Sequence, residues 1–526
     1  MATISKTDVR PASQIHGEKC WPMVDKLSPC EKACPLGTDV PSYIMAIALS
    51  KFDEALETIR LTNPFPSVCG RVCHQPCEAE CNRKLIDDPI AIRWLKRAAV
   101  DYSDRKKKRS SKAKLSKKDK VAVVGSGPAG LTAAYDLARK GYGVTVFEAA
   151  DTPGGWLTNG IPDFILPSEI ARADIQNIID SGVDVRTGVK IGRDLSLFSL
   201  KDRGYRAILL ATGAQQGARL NIPGSDLKNV LSALDVLKKA KLKQEVLLHG
   251  SVLVIGGGAV AMDTARTALR LGAQQVTTAC LESRRKMPAW PWEIEAAEKE
   301  GVKVLASLAP QKFSGMHNAG GARGIQIDFK RVKSTITDVE GRVSWKLAEG
   351  PGSELSMEAD YVMIAIGQAA DTAYAGDSPL LINKKGAFDV NPDTLETNVP
   401  GIFAAGDSVS IRGTVTESIA MGHKAAASIE LFLKGKSLQK KRKAAEKEVI
   451  VIDPKLTSPW LARKSRWGMP ALSPKDAVRT FSEAYLGFTR EQAIEEARRC
   501  LNCRMCANCI YGRGQICYET AMRLLK

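Results

Sequence analysis

Apolar residues recur along this chain with two different periods, and the change between them marks its organisation. From residue 121 to 435, short apolar runs of strand type alternate with stretches of helical period. VAVVG, VTVFE, YRAILLATG, VLVIGGG and VPGIFAAGD are strand runs of this kind, and LTAAYDLARKG is a helical stretch. Such alternation predicts an α/β fold with a parallel sheet. Upstream, SYIMAIALSKFDEALETI has helical period, and residues 1–104 read as a mostly helical module. Residues 436–475 read as a connector, basic at first and then containing proline. Residues 476–526 read as a short helical tail. No apolar run approaches the ~18 residues of a membrane span.

Two segments inside the α/β region begin alike. Residues 121–149 give a strand, then Gly125, Gly127 and Gly130 as G-x-G-x-x-G, then a helix and a second strand ending at Glu148. In this pattern the first glycine makes a tight turn, the second admits a pyrophosphate to the backbone, and the third packs helix on strand. The helix N-terminus offers partial positive charge to the phosphates, and Glu148 is placed to accept from a ribose. Pro128 and Ala129 lie within this loop. Residues 252–283 repeat the logic with Gly256, Gly258 and Ala261, and with Glu282 at the end of the next strand. An acid there favours a free ribose 2′-hydroxyl over a 2′-phosphate, so NAD(H) is expected. The repeat predicts two Rossmann-like dinucleotide domains, one inserted in the other. Their bounds are 121–250 and 371–435 for the first and 251–370 for the second, with 105–120 as a basic linker.

Composition changes this picture in two places. The net charge of +18 sits mostly in two runs, 105–120 and 434–447, which together carry fifteen of those charges. Neither run contains an aromatic for base stacking, so solvated linkers are expected rather than nucleic-acid contacts. The 13 cysteines are clustered: seven from Cys20 to Cys81, five from Cys500 to Cys517, and Cys280 alone between. The N-terminus, Met1 to Cys20, lacks an apolar signal core, so a cytoplasmic chain is expected. In such a chain clustered cysteines read as metal or cluster ligands. The candidates are Cys30, Cys34, Cys69, Cys73, Cys77 and Cys81, then Cys500, Cys503, Cys506, Cys509 and Cys517. C-x2-C pairs suit a [4Fe-4S] cubane and also zinc. The lone Cys280 reads as a packed core thiol, which leaves the nucleotide region without a redox cysteine pair.

Ala211-Thr212-Gly213 and Gly406-Asp407, each ending a strand, resemble the two-dinucleotide-domain flavoproteins. That resemblance implies FAD, with Thr212, Gly213, Gly406 and Asp407 beside it. It also implies that the helix after Asp407, in VTESIAMGHKAA, presents its N-terminus to the flavin. GGWLTNGIPDFILP (154–167), which includes Gly155, resembles the glutamate synthase small-subunit family, as do NPFPSVCGRVCHQPCEAECNR (63–83) and SPCEKACP (28–35). That group includes the N-terminal part of dihydropyrimidine dehydrogenase and the large subunit of NADH-dependent ferredoxin:NADP oxidoreductase. The resemblance implies two N-terminal [4Fe-4S] clusters, one taking Cys34, Cys73 and Cys77, the other Cys30 and Cys81. Two further family cysteines would fall near Pro22 and Asp25, and a non-cysteine ligand near Lys96. These departures leave one or two N-terminal clusters open, with Cys20 a possible substitute ligand, and one further cluster is expected in the C-terminal tail. NADPH-using members carry an Arg pair where this chain has Leu281 and Glu282, which again points to NADH.

The function expected is an NADH:acceptor oxidoreductase subunit. It would move electrons between NAD(H), FAD and [4Fe-4S] clusters, to or from a partner iron–sulfur protein such as ferredoxin, within a larger oligomeric complex of iron–sulfur or flavoprotein subunits. The C-terminal cysteines would be the port to that partner. The alternatives are the small subunit of a glutamate synthase and a non-catalytic assembly subunit.

Overall fold

The computed structural model describes residues 27–104, 114–317, 323–337, 343–376, 378–409, 413–438, 449 and 463–503. They fall into two compact units. One is drawn from Met1–Lys108, Lys440–Pro470 and Gly487–Lys526, the other from Arg109–Gln439 and Ala471–Leu486. Among the described residues no helix is long and apolar enough to cross a membrane. Most of the two basic runs, and Cys20, Cys506, Cys509 and Cys517, lie outside the described residues.

The first unit is helical. The stretch expected as one helical run is two helices, Val40–Ala48 and Phe52–Arg60. Ser50 between them turns the chain at φ 63°, a left-handed conformation that no helix continues through. The break lets both apolar faces reach one core, burying Tyr43, Ile44, Ile47, Phe52, Leu56 and Ile59. Helix Ile92–Asp101 lies inside the unit and buries even Arg93, Lys96 and Arg97. Helix Arg490–Ala497, opened by a Thr489–Gln492 capping box, belongs here too. Residues 498–503, which follow it, are therefore not part of a separate tail as the sequence suggests.

The second unit holds two five-stranded parallel sheets. In the first, Ile402–Ala404, Tyr205–Leu210, Lys120–Val124, Gly143–Phe147 and Asp184–Arg186 lie side by side in that order. In the second the order is Val230–Ser232, Tyr361–Ile364, Ser251–Ile255, Gln275–Ala279 and Lys303–Leu305. Val230–Ser232 pairs into the second sheet, so the first lobe ends before 230 rather than at 250. Residues 308–359 depart from the expected strand–helix alternation. They form an antiparallel sheet of Leu308–His317, Arg323–Thr337, Val343–Leu347 and Glu354–Ala359. The connections between successive strands are too short for a parallel crossover, so only antiparallel pairing is open to them, and Phe313, Ile325, Ile327 and Phe329 form their buried face.

Ala471–Leu486, expected as connector and tail, packs in this unit: Ala484 N–H donates to the Phe164 carbonyl at 2.8 Å. Beneath it Glu300 takes Arg266 and Arg270, each at 2.7 Å, and all three side chains are nearly sealed from solvent. The Arg270 guanidinium also lies 3.8 Å from the centre of the Phe164 ring. Removing the one acid would leave two buried cations unpaired. Glu300→Ala is therefore expected to cost about 3–5 kcal/mol, read as a lower urea midpoint with unchanged slope. Glu300→Gln, which keeps one acceptor oxygen, is expected to lose less.

Candidate functional site

The second unit contains a cavity of about 560 Å³, a size typical of a cofactor site. Every residue singled out for the first nucleotide lines it: Gly125, Gly127, Pro128, Ala129, Glu148, Gly155, Thr212, Gly213, Gly406 and Asp407, with only Gly130 set behind them. The local folding explains the placement. Gly125 sits at φ 101°, and a Cβ there would lie 2.4 Å from the Ala211 carbonyl oxygen, so the loop presses on the neighbouring strand. A Cβ on Gly130 would lie 2.1 Å from the Gly125 carbonyl, whereas Gly127 faces open space.

Helix Pro128–Arg139 begins at Gly127 with no side-chain cap, so its first N–H groups are free to bind an anion. The Glu148 carboxylate accepts from Ser126 N–H at 3.0 Å, Ser126 Oγ at 2.5 Å and Ala150 N–H at 2.8 Å, which fixes the acid at the loop. Asp407 is largely buried, and its Oδ1 has no hydrogen-bond partner among the described residues. Burial pushes its carboxyl up to about 6, partly opposed by the backbone N–H of Gly413. Thr414 and Val415, where helix Val415–Leu433 begins, reach the same cavity. A phosphate cradle, a ribose acceptor and an unpaired buried acceptor together fit FAD.

Gly256 and Gly258 repeat the geometry. Gly256 has φ 146°, and a Cβ there would lie 2.3 Å from the Ala365 carbonyl. Gly258 is the uncapped start of helix Ala259–Arg270, and Ala261 is fully buried behind it. Glu282 lies three residues beyond strand Gln275–Ala279 rather than at its end. It still faces the glycine loop: a Cβ on Gly257 would lie 3.2 Å from Glu282 Oε2. Cys280 is buried in the core, and burial pushes its thiol up to about 12, so it is an inert packed thiol. Asp263 lies on helix Ala259–Arg270, two residues beyond Ala261. It lines the 560 Å³ cavity from the second lobe, and its carboxyl is pushed up to about 8, first by burial and then by the charges of Glu293 and Glu300. Its position on the helix after Ala261 was the available signal, but nothing local said which cavity that face meets.

In the helical unit the cysteines separate into two groups. Lys96 is buried, which works against its ammonium, yet the sulfurs of Cys73, Cys69, Cys34 and Cys77 act on it strongly enough to raise it overall. Cys69 thus stands with Cys34, Cys73 and Cys77, and a buried cation stands where a non-cysteine ligand was expected. Four thiols beside a fixed positive charge suit an anionic cluster. Cys30 and Cys81 lie apart from these, beside a small second cavity. Cys500 and Cys503 also line that second cavity and do not stand in a region of their own. Among the described residues, no three His, Cys, Asp or Glu side chains are grouped as a single metal ion requires.

Comparison with known proteins agrees with this geometry. Residues 119–427 match the pyridine nucleotide-disulphide oxidoreductase family, and residues 12–108 match the dihydropyrimidine dehydrogenase domain II, 4Fe-4S cluster, family. The chain is 35% identical to the NADP(+)-dependent formate dehydrogenase subunit beta of Moorella thermoacetica, over 90% of this chain and 70% of that protein. It is 34% identical to the small chain of NADPH glutamate synthase from Azospirillum brasilense, over 78% of this chain and 87% of that protein. It is also 34% identical to the PreT subunit of NAD-dependent dihydropyrimidine dehydrogenase from Escherichia coli, over 78% and 92%. The two family matches carry FAD, a nicotinamide and a [4Fe-4S] cluster as cofactors, and this chain belongs to the pyridine nucleotide-disulphide oxidoreductase family, in the group of FAD-dependent NAD(P)H oxidoreductases with an iron–sulfur domain that includes the glutamate synthase small chain.

Proposed function

We propose that this chain is an NADH:acceptor oxidoreductase subunit that exchanges electrons, through its iron–sulfur unit, with a partner iron–sulfur protein such as ferredoxin. The observation that carries this reading is the cysteine distribution. Between Cys81 and Cys500 the only cysteine is Cys280, and that thiol is buried and inert. Electrons therefore have no dithiol to pass through beside the flavin. Bound FAD supplies the exchange between two-electron nicotinamide chemistry and one-electron cluster chemistry. The chain's own residues bind and orient. The helix starting at Pro128 holds the pyrophosphate, Glu148 the ribose, and Asp407 a hydroxyl of the flavin's sugar chain. Glu282 accepts from the adenosine ribose of the nicotinamide. The relatives named above are all subunits, which supports a partner on another chain.

A second reading of the nicotinamide rests on Ser283–Lys286. The turn Arg284–Lys286 follows Glu282 and is exposed. Arg284 is held by Glu298 at 2.6 Å, and a 2′-phosphate entering here would meet Arg285 and Lys286. Two of the relatives are named for NADP(H) and one for NAD. Stopped-flow flavin bleaching separates the readings. NADH is expected to reduce the flavin faster than NADPH at equal concentration, and Glu282→Arg is expected to move the preference towards NADPH by about tenfold or more, as one charge-assisted hydrogen bond allows. Equal rates in the parent protein would defeat the NADH reading and favour the basic turn.

Asp407 and Asp263 generate two further expectations. Asp407→Ala is expected to weaken FAD retention about 2- to 10-fold, one hydrogen bond's worth, measured as FAD per chain after gel filtration. Asp263 has a carboxyl raised in the fold, so the folded apoprotein keeps a proton that the unfolded chain has already released. Stability then falls as pH rises between about 4 and about 8. Asp263→Asn is expected to raise the apoprotein's melting point at pH 9, by about 2–4 °C per kcal/mol recovered, and to leave it unchanged at pH 4. A gain of equal size at both pH values would contradict the raised carboxyl.

A further inference from the structure

Four cysteines from three distant parts of the chain line one cavity of about 20 Å³ in the helical unit. Cys30 lies in helix Pro29–Ala33, and Cys81 caps the short helix Asn82–Leu85. Cys500 and Cys503 follow helix Arg490–Ala497. The remaining wall is largely apolar, with Val40, Ile44, Ile90 and Ile92.

All four of these side chains line that one cavity. Each sulfur also has a polar partner. Asn502 N–H donates to Cys500 Sγ at 3.4 Å, and Asn82 Nδ2 donates to Cys503 Sγ at 3.5 Å. Ser28 Oγ lies 3.2 Å from Cys30 Sγ, and backbone N–H groups of Arg83 and Ile90 serve Cys81. Buried thiolates with hydrogen bonds to sulfur, in an apolar shell, are the surroundings a cubane needs.

The C-terminal pair is also held in place firmly. Glu496 is fully buried and accepts from Ala91 N–H at 2.9 Å and from Arg499 at 2.7 Å. Arg499 reaches on to Asp87 at 2.8 Å, and Arg83 donates to the Arg499 carbonyl at 3.1 Å. Cys500 is the next residue. The C-x2-C of 500–503 thereby supplies two thiols beside Cys30 and Cys81, as many as the chain lacks at Pro22 and Asp25.

We propose that Cys30, Cys81, Cys500 and Cys503 are the four ligands of one [4Fe-4S] cluster, so that the C-terminal cysteine motif completes an N-terminal cluster instead of holding one of its own. This rests on the iron–sulfur reading of the chain. Each ligand bond forms between one thiolate sulfur and one iron, the thiol proton passing to water. Iron and sulfide come from the reconstitution medium or the cell's assembly machinery.

The test uses the full chain, reconstituted anaerobically with equal parts of ferrous and ferric iron and with sulfide, which together balance the two-ferrous, two-ferric cubane. Iron and sulfide are assayed per chain, and the dithionite-reduced protein is examined by electron paramagnetic resonance. About eight irons are expected in the parent, four for this cluster and four for the Cys34 group. Cys30→Ser and the double variant Cys500→Ser/Cys503→Ser are expected to lose the same resonance and about half the iron while retaining FAD. The double variant Cys506→Ser/Cys509→Ser is expected to keep both resonances.

Loss of a cluster in that last variant, with Cys30→Ser leaving the lost resonance intact, would overturn the proposal. One zinc and only four irons per chain in the parent would overturn it too. A parent without iron would defeat the iron–sulfur reading itself, and is distinct from both. Should a variant not fold, alkylation of the loaded parent decides. Mass spectrometry should find Cys30, Cys81, Cys500 and Cys503 protected together and released together when the cluster is stripped. Free alkylation of Cys500 and Cys503 in a protein whose Cys30 stays protected would refute the shared site.

Discussion

The buried pair Glu496–Arg499 is the interaction on which the iron–sulfur unit depends. It is what brings the last described residues of the chain into a core built from the first hundred. Two ions taken from water repay their desolvation only when every polar atom is satisfied. That condition is met by Glu496, whose two oxygens take Ala91 N–H, Arg499 and Trp467 N–H. Arg499 spends its remaining donors on Asp87 and on the Asp88 and Lys464 carbonyls. Such a network stabilises little beyond what apolar packing would, but it admits one register. A shift by one residue would bury an unpaired charge, so the register of Cys500 and Cys503 is set by the four residues before them.

The flavoprotein unit rests on a different constraint, close backbone approach. Gly125 and Gly256 each carry the chain past the carbonyl of a neighbouring strand with no room for a Cβ. Each then leads into a helix whose first N–H groups are unclaimed by side chains. Ion pairs hold that frame at its margins. Lys241 is fully sealed and donates to Asp163 at 2.6 Å and to the Leu166 carbonyl at 2.7 Å. This gives a structural reason for the acid within GGWLTNGIPDFILP. His423 meets Asp136 at 2.6 Å and joins helix Val415–Leu433 to helix Pro128–Arg139.

What the sequence made legible was what is local. Both glycine loops, the acids that follow them and the strand-end pairs at 212–213 and 406–407 are each coded within about thirty residues, and the structure gathers the first set around one cavity. What it hid depends on contacts distant along the chain or on a single backbone angle. The break at Ser50 carries no glycine or proline to announce it. The antiparallel sheet within 308–359 differs from the expected pattern only in how short its connections are. The grouping of the cysteines was least legible. Asn82 and Cys503, in contact through a hydrogen bond to sulfur, are 421 residues apart. Spacing within each motif pointed to cluster or metal ligands, and could not show that the two motifs meet at one cavity.

The buried cations of the helical unit follow from the same chemistry. Lys96, Arg83 and Arg499 are almost fully enclosed, positions that such residues take only when paired. Carboxylates account for the two arginines through Asp87 and Glu496, whereas the charges acting on Lys96 are those of the Cys73, Cys69, Cys34 and Cys77 sulfurs. A cubane held by four thiolates carries excess negative charge, and enclosing it without a counter-charge would be as costly as burying any lone ion. A lysine where a non-cysteine ligand was expected would thus exchange a metal bond for charge compensation. With Cys69 beside Cys34, Cys73 and Cys77, a cubane there would have four sulfurs to hold it without Lys96.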